Sequence, residues 1–521
     1  MWWIRAGALM LIGALAIELT PQTSPDSDWS PRLLLQVVDG ETGRPIAARF
    51  SLTVDGKEFE PRWVGTHGVR FASVHVSKKQ TFVATYARGT GPVEVPLPSD
   101  ARNVEVHCAK GFDYVPATIE LPLSSDPLEL TVRLERYGRL QEEGWRAADA
   151  HLHYDRPGPD ADRDWFDMLA GDGLAHGQFM VLKGGMVPGI WAEQFAYGPA
   201  GTAVRDGRTI IPGMEYRDQM QGHVLLFGLS EVIQPIMARG PHYPTFFEVL
   251  NRARGSGGLV GAAHGALYGG STTGVADAVL GALDFWEIGN AHLWTLDTWY
   301  QLMNAGYVLP PTAGTDLPNN PGREPWQPFL GSMRMYARTH GHPGSGPWNA
   351  AVRRGEVFAT SGPLIGLTVN GQGPGGEVRL PAEGGEVDVV ATLESPRQLS
   401  SLEVVRDGQI EAVADGQAAS VPLNRLRIER RMRVNRSSWV AARGQGAEIS
   451  VIGQNEVAHT AAVRVLVGGS PIGSPEAATR LADQLKRQRK AYETTAEYAR
   501  PEHRQEMVEL IDRAVTKLAA R

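Results

Sequence analysis

The sequence predicts an α/β protein: a domain of alternating helices and strands, flanked by two β-sandwich domains and followed by a helical hairpin. Three patterns predict it. Between residues 145 and 345 helical stretches run straight into apolar strands. "TFFEVLNRARGSGG" leads into "LVGAAHG" and "LDTWYQLMNAG" into "YVLPPTAGTD", the alternation of a parallel sheet or barrel. On either side lie short β-rich runs separated by Gly, Pro and Asp turns. In the tail, Met507, Leu510, Ile511, Ala514, Val515 and Leu518 recur at helical spacing.

Taken in order, residues 1–25 read as a secretory signal, with Arg5 ahead of an apolar run and an Ala14-Leu15-Ala16 cleavage pattern. The run is too short to span a bilayer comfortably, so export is expected and stable membrane insertion is not. Residues 31–140 form the first sandwich, built from runs such as "RLLLQVVD", "RFSLTV", "TFVATYA" and "LELTVRLERY". Its piece "VVDGETGRPIAARFSLTVDG" resembles the opening of carboxypeptidase-regulatory-like domains. The α/β domain occupies 145–345, and a second β domain 346–470 opens with a short helix at 349–354 and the run "EVFATSGPLIGLTVNG". The tail spans 474–521, where Ser474 caps, Pro475 fits a first turn and Pro501 separates two helices.

A chain of 521 residues is too long for one core and should be modular. Hydrophobic residues at 42% and charged residues at 21% describe a globular protein. The net charge of −7, with no sustained Lys/Arg run, gives no electrostatic footprint for nucleic acid, so a small-molecule ligand is expected and nucleic acid is not. Cys108 is the only cysteine, which excludes an internal disulfide. The β domains leave room for contact with polysaccharide.

Chemistry concentrates in the α/β domain, where residues 145–320 hold seven of the fourteen histidines. In "DAHLHYD" side chains alternate faces, so His151 and His153 point the same way while Leu152 enters the layer behind. Two adjacent imidazoles suit one metal ion, although His-x-His also occurs in ordinary exposed strands. Five further residues fall near predicted strand ends: Glu215 in "PGMEYRD", His223 in "GHVLLFG", His264 in "GAAHG", Glu287 in "DFWEIGN" and Asp316 in "AGTD". Arg217 shares the face of Glu215 and could meet an anionic group. Asp155, Lys183 and His292 are unranked candidates for a general acid. Glu287 could orient a metal-bound histidine or be a plain strand-end acid.

The ordered set His-x-His, Gly-x-Glu, Gly-His, Ala-His and Gly-Thr-Asp resembles the PHP (polymerase and histidinol phosphatase) superfamily of metal-dependent hydrolases. The stretches "GWRAADAHLH", "GRTIIPGMEYRDQMQGHVLLFGL", "GGLVGAAH" and "RRGEVFATSGP" are similar to its CehA/McbA-like branch. The resemblance implies a distorted (β/α)7 barrel. It implies one ion on His151, His153, Glu215 and Asp316 and a second on Glu215, His223 and His264, with Glu215 bridging. Such shells suit Zn, Mn or Fe. Where many relatives carry Thr-Asp-His and Gly-Ser-Asp-x-His, this chain has "FMVLKGGM" and "GTDLP", so the third site of the family is expected to be missing.

The expected activity is that of an exported hydrolase whose metal-bridging hydroxide cleaves phosphoester, carboxyl ester or carbamate bonds, with Glu215, Asp316, Arg217 and His292 at the reacting centre. The alternative is a catalytically inactive, secreted polysaccharide-binding protein with a remnant barrel. Export is checked by N-terminal sequencing of protein made in its source cell: the mature chain should begin after roughly residue 16 to 25. An intact Met1 on cytoplasmic protein would contradict it.

Overall fold

The computed structural model describes residues 29–61, 68–74, 80–124, 127–184, 192–234, 242–266, 272–290, 293–318, 329–416, 423–449 and 454–521. The expected signal segment lies outside them. The fold is mixed α/β, with many strands and few helices. Among the described residues no helix is long and apolar enough to cross a membrane.

In the N-terminal region the strand Trp29–Asp39 lies between Val93–Pro98, antiparallel, and Leu128–Leu134, parallel. A second sheet runs in the order Gly68–Val74, Gln80–Ala87, Arg49–Val54, Asn103–Ala109, Ala117–Pro122. Alternation explains the packing, since Phe50, Leu52 and Val54 face inward while Arg49, Ser51 and Thr53 do not. Those residues share a core with Leu33, Leu35, Val37, Val106 and Cys108. Burial pushes the Cys108 thiol up to about 12, so it behaves as a small hydrophobe.

The α/β region is one run of paired strands. Trp145–Leu152 pairs parallel with His176–Gly184, which pairs parallel with Arg208–Asp218. The chain then turns straight back into Gly222–Phe227, antiparallel, and this strand pairs antiparallel with Leu259–Ala262. Phe285–Asn290 and Pro311–Gly314 follow in parallel. The end of the last strand returns to the first through the Leu152–Leu317 bridge, with Asp316 N–H donating to His151 O at 2.8 Å and His153 N–H to Leu317 O at 2.7 Å.

The hairpin after Arg208–Asp218 departs from simple strand–helix alternation. The turn is closed locally: the Asp218 carboxylate accepts from the N–H groups of Met220 (2.9 Å) and Gln221 (2.8 Å). One helix of this region has a side-chain cap. Thr245 caps Phe246–Gly255 by accepting from Glu248 N–H at 3.3 Å, and Phe246, Val249, Leu250 and Ala253 bury one face.

Arg334–Arg338 pairs antiparallel with Trp145–Leu152 and continues through Val357–Thr360 to Asn455–Thr460, so pairing runs unbroken into the C-terminal strands. A separate sheet joins Leu364–Val369, Gly385–Ser395 and Asn424–Val434. The tail forms helices Pro475–Thr494 and Pro501–Ala519, whose Leu485, Tyr492, Met507 and Ile511 join the core of the α/β region. Tyr492 donates to Met220 O at 2.6 Å, tying the tail to the Asp218 turn.

The N-terminal region is held to the α/β region by buried polar contacts. Asp172, wholly buried, accepts from Arg49 Nε at 3.0 Å and from the Tyr86 hydroxyl. Arg334 donates to Asp172 O at 2.8 Å and lies 3.9 Å over the Phe112 ring. Removing one partner of such a pair leaves a buried charge uncompensated. Asp172→Ala should therefore lower unfolding stability by about 3 to 5 kcal/mol in urea titrations. A loss below about 1 kcal/mol, the range of exposed pairs, would show that the contact does not join the regions.

Candidate metal centre

The strand ends just described bring the candidate residues to one place. His151 and His153 share a face of Trp145–Leu152 and its continuation, while Leu152 is fully buried in the opposite layer. Glu215 and Arg217 lie on one face of the third strand, and antiparallel register sets His223 opposite Arg217. His264 follows Leu259–Ala262 and Asp316 follows Pro311–Gly314, both in left-handed backbone, with φ of 51° and 54°. Left-handed conformation costs a non-glycine residue about 1 to 3 kcal/mol, and here it turns both side chains back toward the histidine pair. Gly314 allows the last strand to approach, because a Cβ there would run into the backbone N and Cβ of His151.

Hydrogen bonds at the outer nitrogens fix what the inner ones can do. His151 Nδ1 lies 2.9 Å from Glu287 Oε1 and His153 Nδ1 lies 2.8 Å from Met180 O. Both partners are acceptors, so both Nδ1 atoms carry hydrogen and donate, leaving a lone pair on each Nε2 of the neutral rings. The two Nε2 atoms nevertheless stand 3.0 Å apart. Two carboxylate oxygens close the same space: His153 Nε2 is 3.2 Å from Glu215 Oε2 and 3.1 Å from Asp316 Oδ1, and His151 Nε2 is 3.8 Å and 3.4 Å from the same atoms. With both rings neutral, four electron-rich atoms face each other, an arrangement that calls for positive charge between them, either a proton on one Nε2 or a metal ion.

The donor set fits a divalent transition metal. Bonds of about 2.0 to 2.1 Å to N and O in a tetrahedron place ligand atoms about 3.3 Å apart, and the distances above bracket that value. His151, His153, Glu215 and Asp316 are all buried, and their ligand atoms lie within 4.8 Å of one another. A second group, Glu215, His223 and His264, meets the same criterion. It uses the other oxygen of Glu215, with Oε1 at 3.0 Å from His223 Nδ1 and 3.6 Å from His264 Nε2. Asp316 likewise turns Oδ2 to His264 Nε2 at 3.4 Å. Both carboxylates thus face both groups. A third grouping, His151, His264 and Glu287, contains the hydrogen bond that orients His151, and Glu287 Oε2 also accepts from the His264 N–H at 2.7 Å.

The charges follow from these contacts. Burial would raise the Glu215 carboxyl, but Arg217 and then His223 outweigh it and hold the group well below the ordinary carboxylate value. Burial raises Asp316 too, and His151 and the neighbouring imidazoles overcome it, holding that carboxyl well below its ordinary value. Burial lowers His151, yet Asp316 and then Glu287 carry it well above the ordinary imidazole value. His223 is pushed down to about 4, chiefly by burial, and so is neutral and able to ligate near neutral pH.

Arg217, expected to meet a substrate anion, sits with Nε 3.1 Å from Glu215 Oε2. Asp155 accepts from Glu193 N–H at 2.7 Å and anchors a loop. His292 and the side chain of Lys183 lie outside the described residues. Sequence reasoning passed over two residues that serve the centre. Asp149 accepts from the N–H groups of His151 (3.2 Å), Thr315 (3.0 Å) and Gly331 (2.9 Å) and from the Thr315 hydroxyl (2.7 Å), joining the first and last strands. Its place two residues before His151, on the same face, was a readable signal. Asn290 donates to Asp316 Oδ2 at 3.3 Å from the strand containing Glu287, and no spacing rule marks it.

No family profile matches the chain, and no curated protein matches it. Solved structures do. The crystal structure of PsfC from Pseudomonas syringae PB-5123 is similar at 18% identity over 40% of this chain and 90% of that one, with a TM-score of 0.25. The lesion-specific endonuclease Q of Pyrococcus furiosus is similar at 16% identity over 41% of this chain and 56% of its own, with a TM-score of 0.23. Endonuclease Q with a 27-mer duplex substrate, an abasic lesion at its active site, gives 15%, 40%, 56% and 0.24. The likeness thus takes in about half of each endonuclease chain.

These structures correct one expectation. The acidic balance of the chain led to the exclusion of nucleic acid, yet a protein it resembles is seen with a DNA duplex. Net charge describes the whole surface and not the potential at one site, so an acidic chain is no ground for excluding nucleic acid.

If the outer hydrogen bonds set the donors, Glu287→Gln should weaken binding of the ion on His151 by about 10- to 100-fold, measured by competition with a chromogenic chelator. Glu215→Ala should remove more than half of the bound metal, because both groups use its carboxylate. Unchanged affinity in the first variant and unchanged content in the second would contradict these assignments.

Proposed function

We propose that the protein is a metal-dependent hydrolase of the PHP superfamily, built on a distorted (β/α)7 barrel and acting on a phosphoester. The observation that carries the reading is the 3.0 Å approach of two imidazole nitrogens whose hydrogens are committed elsewhere, with two buried carboxylates around them. Arg217 and Asn290 donate at the rim of the cluster, and the space between the imidazoles and the carboxylates is lined by acceptors that positive charge would join.

His151, His153, Glu215 and Asp316 would hold one ion, and Glu215, His223 and His264 a second. Bound there, divalent ions supply Lewis-acid chemistry, lowering the pKa of a water and offsetting charge on a scissile group. The chain's own residues set the rest. Side-chain exposure is lowest at His151, His153 and Glu215 and reaches 16% at His223 and 15% at Arg217, so substrate approaches from the His223 and Arg217 side. Arg217 keeps Glu215 ionised there and adds positive charge. Three carboxylates, Glu215, Asp316 and Glu287, against two divalent ions and Arg217 leave the loaded centre positive, which suits an anionic phosphoester better than a neutral carbamate or carboxyl ester.

A panel of aryl phosphomonoesters, phosphodiesters, carboxyl esters and carbamates, run on metal-loaded protein, tests the reading. Turnover should fall to phosphoesters alone. His151→Ala and His153→Ala should remain folded by circular dichroism and lose about a thousandfold or more in kcat, roughly 4 kcal/mol of barrier. Turnover that survives complete chelation, or an ester specificity confined to carbamates, would overturn it.

A further inference from the structure

The strand that carries Glu215 begins at Arg208, in the wall of a separate cavity. Seven residues at about 3.3 Å each put this cavity roughly 23 Å from the metal centre, at the other end of the strand. It holds about 280 Å³ and lies where the N-terminal region meets the helix Asp162–Gly171. Three cations line it: Lys110 from the N-terminal region, and Arg205 and Arg208 from the α/β region.

Arg205 and Arg208 stand directly opposite each other across a two-residue hairpin. The turn itself is explained by Asp206 and Gly207, whose φ values of 51° and 73° are those an Asp-Gly pair adopts readily. Nothing in the turn calls for arginines, and like charges directly opposite are destabilising. Arg208 Nε is buried and has no acceptor among the described residues, while Nη1 makes only a 3.3 Å contact with Asp206 O.

Lys110 adds a third charge. Its Nζ donates to Ala47 O and Ala170 O, both at 2.8 Å, which uses two of its three hydrogens. Burial, and after it the charge of Arg208, push the ammonium down to about 8. The two acids in the wall pair with Arg205, at 3.8 Å for Asp167 and 3.5 Å for Asp206, whereas among the described residues neither Lys110 nor Arg208 has a carboxylate within ion-pair distance. Asp167 is engaged by Arg88 and by Gly89 N–H, both at 3.3 Å, and by Arg205 at 3.8 Å. The Asp206 side chain is 75% exposed beside Arg205.

We infer that this cavity binds a small oxyanion, a phosphate- or carboxylate-bearing molecule held between Lys110, Arg205 and Arg208. Such a ligand joins the N-terminal region to the α/β region, and it is distinct from any substrate of the metal centre at the far end of the strand.

The test is calorimetric titration of the metal-loaded full chain with inorganic phosphate and with citrate, at ionic strength fixed by chloride. Wild type is compared with Arg205→Gln, Arg208→Gln and His151→Ala. Binding with a Kd of about 1 mM or tighter is expected for at least one of the two anions. It should persist in His151→Ala, weaken at least tenfold in each arginine variant, and raise the melting temperature of wild type. Preference for phosphate or for citrate assigns the headgroup. Binding no stronger than that of chloride, or binding lost in His151→Ala and kept in both arginine variants, would overturn the inference, the latter by placing the anion at the metal centre.

Discussion

Two imidazoles whose Nδ1 hydrogens are spoken for cannot face each other through Nε2 at 3.0 Å unless something positive lies between them. That constraint organises the α/β region. The Glu287 carboxylate and the Met180 carbonyl hold the rings, and each comes from a different strand. Asp149 fastens the first strand to the last, so that Asp316 reaches the pair. The left-handed backbone at His264 and Asp316 is tolerated because surrounding contacts over-determine it. In the metal-free protein Asp316 and Glu287 hold His151 well above the ordinary imidazole value against the effect of burial, which favours a proton where the same positive charge is called for.

The rest of the molecule holds this arrangement at a distance. The Asp218 turn joins the strands bearing Glu215 and His223, and the tail grips that turn through Tyr492. The N-terminal region is fixed by buried charge at Asp172, Arg49 and Arg334 and lines the oxyanion cavity with Lys110. Chemistry and regional contact thus occupy opposite ends of one strand, Arg208–Asp218.

Much of this was legible because it is periodic. Alternation placed His151 and His153 on one face and Leu152 behind, and Ser474, Pro475 and the spacing from Met507 to Leu518 marked the tail helices. What escaped depends on contacts distant in sequence. The Met180 carbonyl is a backbone group that no residue type announces. Arg217 was read as sharing the face of Glu215 and able to meet an anionic group; that its Nε lies 3.1 Å from the Glu215 carboxylate was not legible. The Asp218 hairpin, closed by one side chain, sets two neighbouring strands antiparallel, which the helix–strand rhythm does not reveal. Formal charge summed over the chain does not report the potential at any one site, so it was no ground for excluding nucleic acid.

The most direct test is anomalous diffraction from crystals of the metal-loaded protein, recorded at the absorption edge of the bound ion. The account predicts one peak within bonding distance of His151, His153, Glu215 and Asp316, and a second beside Glu215, His223 and His264, with Glu215 touching both. Crystals grown with Zn, Mn and Fe that show no peak between the two Nε2 atoms, with the rings turned so that one Nδ1 faces the other histidine, would contradict it.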